Sequence, residues 1–379
     1  MRYVCAFLTL AVFVALPLAG QTYREERAAA TEALEKGDLE TYLAHMLKMM
    51  ELDPDRPGRP FYQYGIARAL AQLGQPARSL AFLEQAWREQ IEGPMIAASK
   101  DDPAFETVRV LDGWGALMNR VAEAEISVTP LSENVSSIDG AGCGIAVSIG
   151  PDGVLLVDSG YSAVADAVRK AIAKRSTAPV RFVINTHEHQ DHIAGNATIA
   201  PDGVLVAHPA ARVAAGKPAQ FIRGLDLPPL PERDWPAVTS DSEISIHFNG
   251  ERVRIIPLPA HSESDLLVWF EKSAVLHMGD NYFPGAAPAL YPGTAIRSYF
   301  ETLGALVETL PEKGFVVTGH SGVVPLAQLR ETWKVSKAIY DLAESMIAAG
   351  KSDEEILAAA GEQGLPQNYS TFYVQQLRK

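Results

Sequence analysis

The stretch Thr186-His187-Glu188-His189-Gln190-Asp191-His192 places three histidines and an aspartate within six consecutive residues, in a chain of 379 residues with nine histidines. Imidazole and carboxylate are ligands for zinc and related divalent cations. His187 and His189 are two apart, so in extended backbone they point to the same side. Asp191 and His192 follow once the chain has begun to turn and can face a second point. The spacing therefore suits two cations held side by side. Two such cations about 3.5–4 Å apart can clamp a hydroxide between them and make it a nucleophile near neutral pH.

The elements that must position this stretch are legible around it. Val180–Asn185 is β-branched and apolar and reads as a buried strand, whereas Ile193-Ala194-Gly195-Asn196 is small and turn-prone. The ligands thus sit on a loop leaving a strand end. The arrangement recurs. Val154–Val157 ends in Asp158-Ser159-Gly160, with a helix from Ser162 to about Lys174. Val253–Pro257 leads to Pro259-Ala260-His261-Ser262, with Asp265 placed to fix that turn. Ala274–Met278 ends in Gly279-Asp280, and Phe315–Thr318 in Gly319-His320-Ser321-Gly322. Strand ends along one edge of a sheet converge, and each glycine would let the backbone approach the metals. Asp158 could accept a hydrogen bond from a ligand histidine or cap the helix after it. His45, His208, His247 and His277 lack this setting and read as structural or surface residues, with His208 the nearest exception.

Further strands are expected at Ile126–Thr129, Val135–Ile138, Ile145–Ile149, Val204–Ala207 and Ile244–Phe248, with a short helix from Pro209 and a long proline-rich loop over Gly216–Pro236. The glycine run Gly140–Gly144 precedes a strand rather than a helix, which excludes a dinucleotide-binding loop. Cys143 within it reads as a small core residue. A formal net charge of −13 argues against a nucleic-acid partner.

The first 20 residues read as a signal peptide: Met1-Arg2, an apolar run Val4–Leu16, then Leu18-Ala19-Gly20 before the expected cleavage. Export to a periplasm or medium is expected, with no membrane span left after cleavage, and an uncleaved N-terminal anchor is the other reading. Removal of Cys5 leaves Cys143 without a partner for an intramolecular disulfide. Residues 21–125 are helical in pattern. Gly37 and Gly74 hold like places in two similar segments 37 residues apart, and a six-residue stretch at Asp55–Pro60 accommodates the excess over a period of about 34. This region resembles tetratricopeptide repeats, including a tail at Asp102-Pro103-Ala104-Phe105, with a plain helical bundle as the other reading. Two repeats are fewer than a free-standing array needs.

Asp158 in Val-Asp-Ser-Gly, the run at 187–192, His261, Asp280 and His320, in that order, resemble the metallo-β-lactamase superfamily. The resemblance implies an α/β fold, a four-layer αββα sandwich over residues 126–325, preceded by the all-α tetratricopeptide-like domain and followed by C-terminal helices over 326–379 that pack on it. It implies two zinc ions, one on His187, His189 and His261, the second on Asp191, His192 and His320, with Asp280 bridging and Asp158 behind a ligand. Asp191 would orient the attacking water and take its proton. Iron-type members that reduce oxygen place a glutamate where His189 stands, which favours zinc.

Asp280 separates the chain from the β-lactam hydrolases, which usually carry Cys or Ser near that point, and moves it toward the glyoxalase II, lactonase and phosphodiesterase branches. An exported protein would rarely meet a glutathione thioester, and an acidic one is a poor RNA processor. The reading that remains is an exported dinuclear zinc hydrolase of a small-molecule ester, lactone or lactam. Its alternatives are β-lactamase activity proper, or a helical-repeat protein that binds a protein partner and carries an inactive hydrolase domain. Completeness of the ligand set favours the enzyme.

Overall fold

A computed structural model describes residues 15–52, 59–88, 96, 99–100, 102–123, 126–222, 225–227, 229–285 and 296–378. Most of the expected signal peptide, and the expected insertion between the repeats up to residue 58, lie outside the described residues. Two compact units are present: one runs to Glu123 and includes Gln220–Leu227, and the other comprises Ala124–Ala219 and Pro228–Lys379.

The first unit begins with α1 (Ala15–Glu35), α2 (Leu39–Leu52), α3 (Arg59–Gln72) and α4 (Pro76–Arg88). The α1–α2 and α3–α4 turns are built alike. Gly37 and Gly74 lie at φ +72° and +71°, a left-handed conformation that glycine adopts without a Cβ penalty. In each, the residue after the glycine returns a bond into the last turn, Asp38 N to Ala33 O at 2.9 Å and Gln75 N to Leu70 O at 2.9 Å, the Schellman termination. Asp38 then caps α2 through the Thr41 amide at 3.0 Å. Ala30, Ala33, Tyr42, Met46, Ile66 and Leu70 share one buried cluster. After a 3-10 turn at Pro103–Phe105 come α5 (Glu106–Arg109) and α6 (Asp112–Ala122). The buried Asp102 accepts bonds from Tyr64 Oη, Arg68 Nε and the Ala104 amide at 3.2, 3.0 and 3.0 Å. A charge so deeply placed is tolerable because it is paired and hydrogen-bonded, and it pins the tail to α3.

The second unit opens with β1 (Ser127–Pro130), β2 (Val135–Asp139), β3 (Ile145–Gly150) and β4 (Gly153–Val157), an antiparallel meander. Crossovers through α7 (Ala165–Ala173), then through α8 (Gln190–Ile193) and α9 (Asn196–Ile199), add the parallel strands β5 (Val180–Ile184) and β6 (Val204–Ala207). After α10 (Pro209–Ala215) the proline-rich stretch holds a hairpin, β7 (Ala219–Ile222) and β8 (Leu225–Leu227), and β9 (Val238–Thr239) completes a seven-stranded sheet in the order β1-β2-β3-β4-β5-β6-β9. The second sheet runs β10 (Ile244–Phe248), β11 (Glu251–Pro257), β12 (Leu266–Phe270) and β13 (Val275–His277). It then crosses through α11 (Ile296–Thr309) to the parallel β14 (Phe315–Val317) and ends at β15 (Val323–Pro325). Helices α12 (Leu326–Ala348), α13 (Asp353–Glu362) and α14 (Gln367–Leu377) follow.

The period-2 rule places the core. Leu155, Val157 and Ile184 of the first sheet share a buried cluster with Leu266, Val268 and Phe270 of the second. The alternate residues Leu267 and Trp269 instead join Phe300, Tyr340 and Tyr373 from α11, α12 and α14. Leu156 points away from the inter-sheet core and is still fully buried, so the outer face of the first sheet is covered as well. The result is the four-layer sandwich. The loop expected over Gly216–Pro236 is therefore not structureless, and β12 and β15 were not anticipated. In β12 every residue is apolar because both faces are covered, so it lacks the alternation by which a strand is recognised.

Candidate metal centre

The strand ends of the second unit bring the expected residues to one place. His187 follows β5, His261 lies between β11 and β12, Asp280 follows β13 and His320 follows β14. His189 holds extended backbone (φ −67°, ψ 142°) and opens α8, on which Asp191 and His192 stand. Two ligand sets result, with all atoms of each within 4.8 Å of one another: His187, His189, His261 and Asp280, and Asp191, His192 and His320.

In the first set His189 Nδ1 is 3.0 Å from His187 Nε2 and 3.2 Å from His261 Nε2, and Asp280 Oδ2 is 3.4 Å from His261 Nε2. In the second His320 Nε2 is 3.1 Å from Asp191 Oδ2 and His192 Nε2 is 3.5 Å from the same oxygen. Asp280 faces both sets, with Oδ1 3.3 Å from His192 Nε2 and Oδ2 3.3 Å from His320 Nε2. Tetrahedral zinc with ligands at about 2.0–2.1 Å holds them about 3.3 Å apart, so these separations suit a cation at each focus. Two buried atoms at the centre, His192 Nε2 and Asp280 Oδ1, have no hydrogen-bond partner. Atoms so placed are costly unless something satisfies them. The donor set fits a pair of divalent cations.

The surrounding bonds set the histidine tautomers. The buried Asp158, at φ +65°, accepts from the Thr186 amide, from Thr186 Oγ1 and from His192 Nδ1, each at 2.7 Å. His192 thus keeps a proton on Nδ1 and turns Nε2 toward the centre as the atom that would ligate a cation. Thr186 Oγ1, its own proton given to Asp158, accepts from His187 Nδ1 at 3.0 Å, which leaves His187 Nε2 bare. One carboxylate therefore orients two histidines, the second through Thr186. The left-handed backbone of Asp158 costs about 1–3 kcal/mol, offset by three charge-assisted bonds.

Other contacts fix the loop. Asn185 and Asn196 exchange two amide bonds at 3.2 and 2.9 Å, closing the loop at its base. Ser159 donates to His192 O through its amide at 2.8 Å and its hydroxyl at 3.1 Å. Asp265 fixes the His261 turn, as expected, through the Ala260 and Ser262 amides at 3.0 and 2.7 Å. The buried Ser264 next to it donates to Glu188, joining that turn to the loop between His187 and His189.

Burial holds His187 well below the usual imidazole range, so it is neutral. Burial also works against charge on His320, but Asp191 and Asp280 outweigh it and raise this residue to about 10. Although burial pushes Asp280 upward, His192 and His320 hold it well below the ordinary carboxylate range. The two carboxylates thus demand nearby positive charge, which a divalent cation supplies by displacing histidine protons.

Other residues noted in the sequence have surroundings of their own. Cys143 is buried as expected, but in a cluster with Asp158 and His192 rather than in plain apolar core. His208 accepts from the Ala210 amide at 3.2 Å as the cap of α10 and joins neither ligand set. Gly319, beside the ligand His320, makes room for another ligand, since a Cβ there would lie 1.9 Å from Asp280 Oδ1, and a Cβ on Gly144 would lie 2.3 Å from Thr318 O. Thr186, Asn185 and Asn196 were visible only as neighbours of the histidine run.

Residues 143–325 match the metallo-beta-lactamase superfamily model. A hydroxyacylglutathione hydrolase of Gloeobacter violaceus is 30% identical over 138 residues, covering 36% of this chain and 48% of that protein. Another, of Acidiphilium cryptum, is 29% identical over 216 residues, covering 56% and 78%. The chain spans about half the length of the first curated relatives it matches, as the 48% shows. Among solved structures the BLEG-1 B3 metallo-beta-lactamase aligns with TM-score 0.43 and 21% identity, over 55% of this chain and 97% of that one.

Proposed function

We propose that this chain, whose residues 143–325 form a metallo-β-lactamase superfamily domain, is an exported dinuclear zinc hydrolase that cleaves an ester, lactone or lactam bond of a small molecule. The observation that carries the reading is the pair of ligand sets, with Asp280 of the first also 3.3 Å from His192 Nε2 and His320 Nε2 of the second, and with two buried atoms at the centre that lack a hydrogen-bond partner. Bound zinc would lower the pKa of water and polarise the bond under attack. His187, His189, His261 and Asp280 would hold one ion, and Asp191, His192, His320 and Asp280 the other.

The rest of the chemistry belongs to the chain. Asp191 is partly exposed, at 13%, and its Oδ2 lies 3.1 Å from His320 Nε2, where it can orient the water and take its proton. Asp158, directly and through Thr186, holds the Nδ1 sides of His192 and His187, which turns their Nε2 atoms toward the metals. The ring of Phe283 lies parallel to that of His320 with centroids 6.5 Å apart and supplies an apolar wall beside the reacting bond. Relatives named for hydrolysis of a hydroxyacylglutathione favour an acyl bond over a phosphodiester. The two helical hairpins, each turned on the same left-handed glycine, support a tetratricopeptide-like surface for a protein partner.

The test is a panel of esters, lactones, β-lactams, thioesters and phosphodiesters with zinc-loaded protein. Turnover confined to acyl substrates is expected. Phosphodiester turnover without acyl turnover would overturn the assignment, and a β-lactam as the best substrate would favour β-lactamase activity proper.

A further inference from the structure

His277 closes β13 and is fully buried. Its Nε2 donates to Gly144 O at 2.8 Å, and its Nδ1 accepts from the Gly279 amide at 3.1 Å. Two more bonds complete a circuit. The Gly144 amide donates to Gly319 O at 2.7 Å, and the Gly319 amide to Gly279 O at 2.8 Å. Four hydrogen bonds thus form a closed ring through one imidazole and three glycines. Gly144 leads into β3 of the first sheet. Gly279 and Gly319 leave β13 and β14 of the second and immediately precede Asp280 and His320.

The ring has no steric slack. A Cβ on Gly144 would meet Thr318 O at 2.3 Å, one on Gly279 would meet Thr186 at 2.9 Å, and one on Gly319 would meet Asp280 Oδ1 at 1.9 Å. Gly279 also sits at φ +51°. Histidine suits the remaining place because its neutral ring offers a donor and an acceptor on one rigid plane.

We propose that His277 is a positioning residue: through this ring it sets the spacing of Asp280 and His320 at neighbouring strand ends of the second sheet and ties both to the first sheet through Gly144, and so sets the geometry of the second metal set and the shared carboxylate. The inference rests on the dinuclear reading above. It concerns a residue that touches neither metal nor substrate, so activity alone does not test it.

The experiment uses the full chain and His277→Phe, His277→Asn and His277→Gln. Phenylalanine keeps the ring and loses both bonds, asparagine keeps an acceptor near Nδ1, and glutamine keeps a donor near Nε2. Zinc affinity is measured for the first and second equivalents by competition with a chromogenic chelator. Cobalt-loaded protein gives visible bands that report coordination, and circular dichroism and Tm report the fold. In His277→Phe the second equivalent should bind about 10–100-fold more weakly, the usual effect of an outer hydrogen-bond partner. The first should change less and the cobalt bands should shift, with partial recovery in the asparagine and glutamine proteins.

A folded His277→Phe with wild-type affinities and cobalt bands would overturn the proposal. So would asparagine and glutamine proteins no better than phenylalanine, or three variants that all fail to fold, since the ring would then be a folding requirement. If only His277→Phe fails to fold, partial retention of the second equivalent in the other two supports the proposal and wild-type retention overturns it. A wild-type protein that takes up no second equivalent would remove the dinuclear reading and this inference together. A wild type with two equivalents and indifferent variants would remove the inference alone.

Discussion

Asp158→Asn should weaken the second metal far more than it disturbs the fold. Asp158 Oδ1 accepts from the Thr186 amide, and Oδ2 accepts from both Thr186 Oγ1 and His192 Nδ1, all at 2.7 Å. Asparagine keeps the volume and one oxygen. If that oxygen stays on the Thr186 amide, its NH2 group meets two donors. His192 relieves the clash by moving its proton to Nε2, the atom that must stay bare for a cation. Restoring the metal-binding tautomer then costs about one charge-assisted hydrogen bond, ~1.5–3 kcal/mol, or about 10–150-fold in affinity at ~1.4 kcal/mol per tenfold. The usual range of about 10–100-fold for losing such a partner agrees. Chelator competition on wild type and variant, read for each equivalent, measures it, with Tm as the control. An unchanged second affinity in a folded variant would refute the tautomer argument.

Asp191→Asn should lower turnover about 10²–10⁴-fold, the worth of general-base assistance, while zinc content at saturation falls much less; equal turnover at equal zinc would remove Asp191 from the mechanism. Gly319→Ala should displace Asp280, whose Oδ1 would lie 1.9 Å from the new methyl, and lower the affinity for both equivalents, as the same competition titration reads. Zinc titration at pH 7 should release protons and bind more tightly as pH rises, because His320, raised to about 10, must lose its proton to bind. Calorimetry in buffers of different ionisation enthalpy measures that release, and none detected would contradict the electrostatics.

How much the sequence disclosed follows from the range of each interaction. The histidine run and the three later strand ends announced themselves because ligand type, glycine and an apolar strand stood together locally. The Schellman turns at Gly37 and Gly74 were legible for the same reason. What escaped was contact between distant segments: Ser264 with Glu188, and His277 with Gly144, which is 133 residues away. His277 looked structural, and it is, yet its position in a ring beside two ligand-bearing turns leaves no local trace. The glycines next to ligands were seen, but not that Gly319 and Gly279 also make room for Asp280 and Thr186. β12 escaped because burial on both faces erased its alternation.

The most direct measurement of the central claim is X-ray absorption spectroscopy at the metal edge, with metal analysis, on gently purified protein. Two zinc ions per chain, histidine-rich and about 3.5–4 Å apart, are the expected result, with both metal and turnover lost to a chelator. At most one equivalent, or two ions with no metal–metal scattering, would contradict a centre in which Asp280 joins two ligand sets.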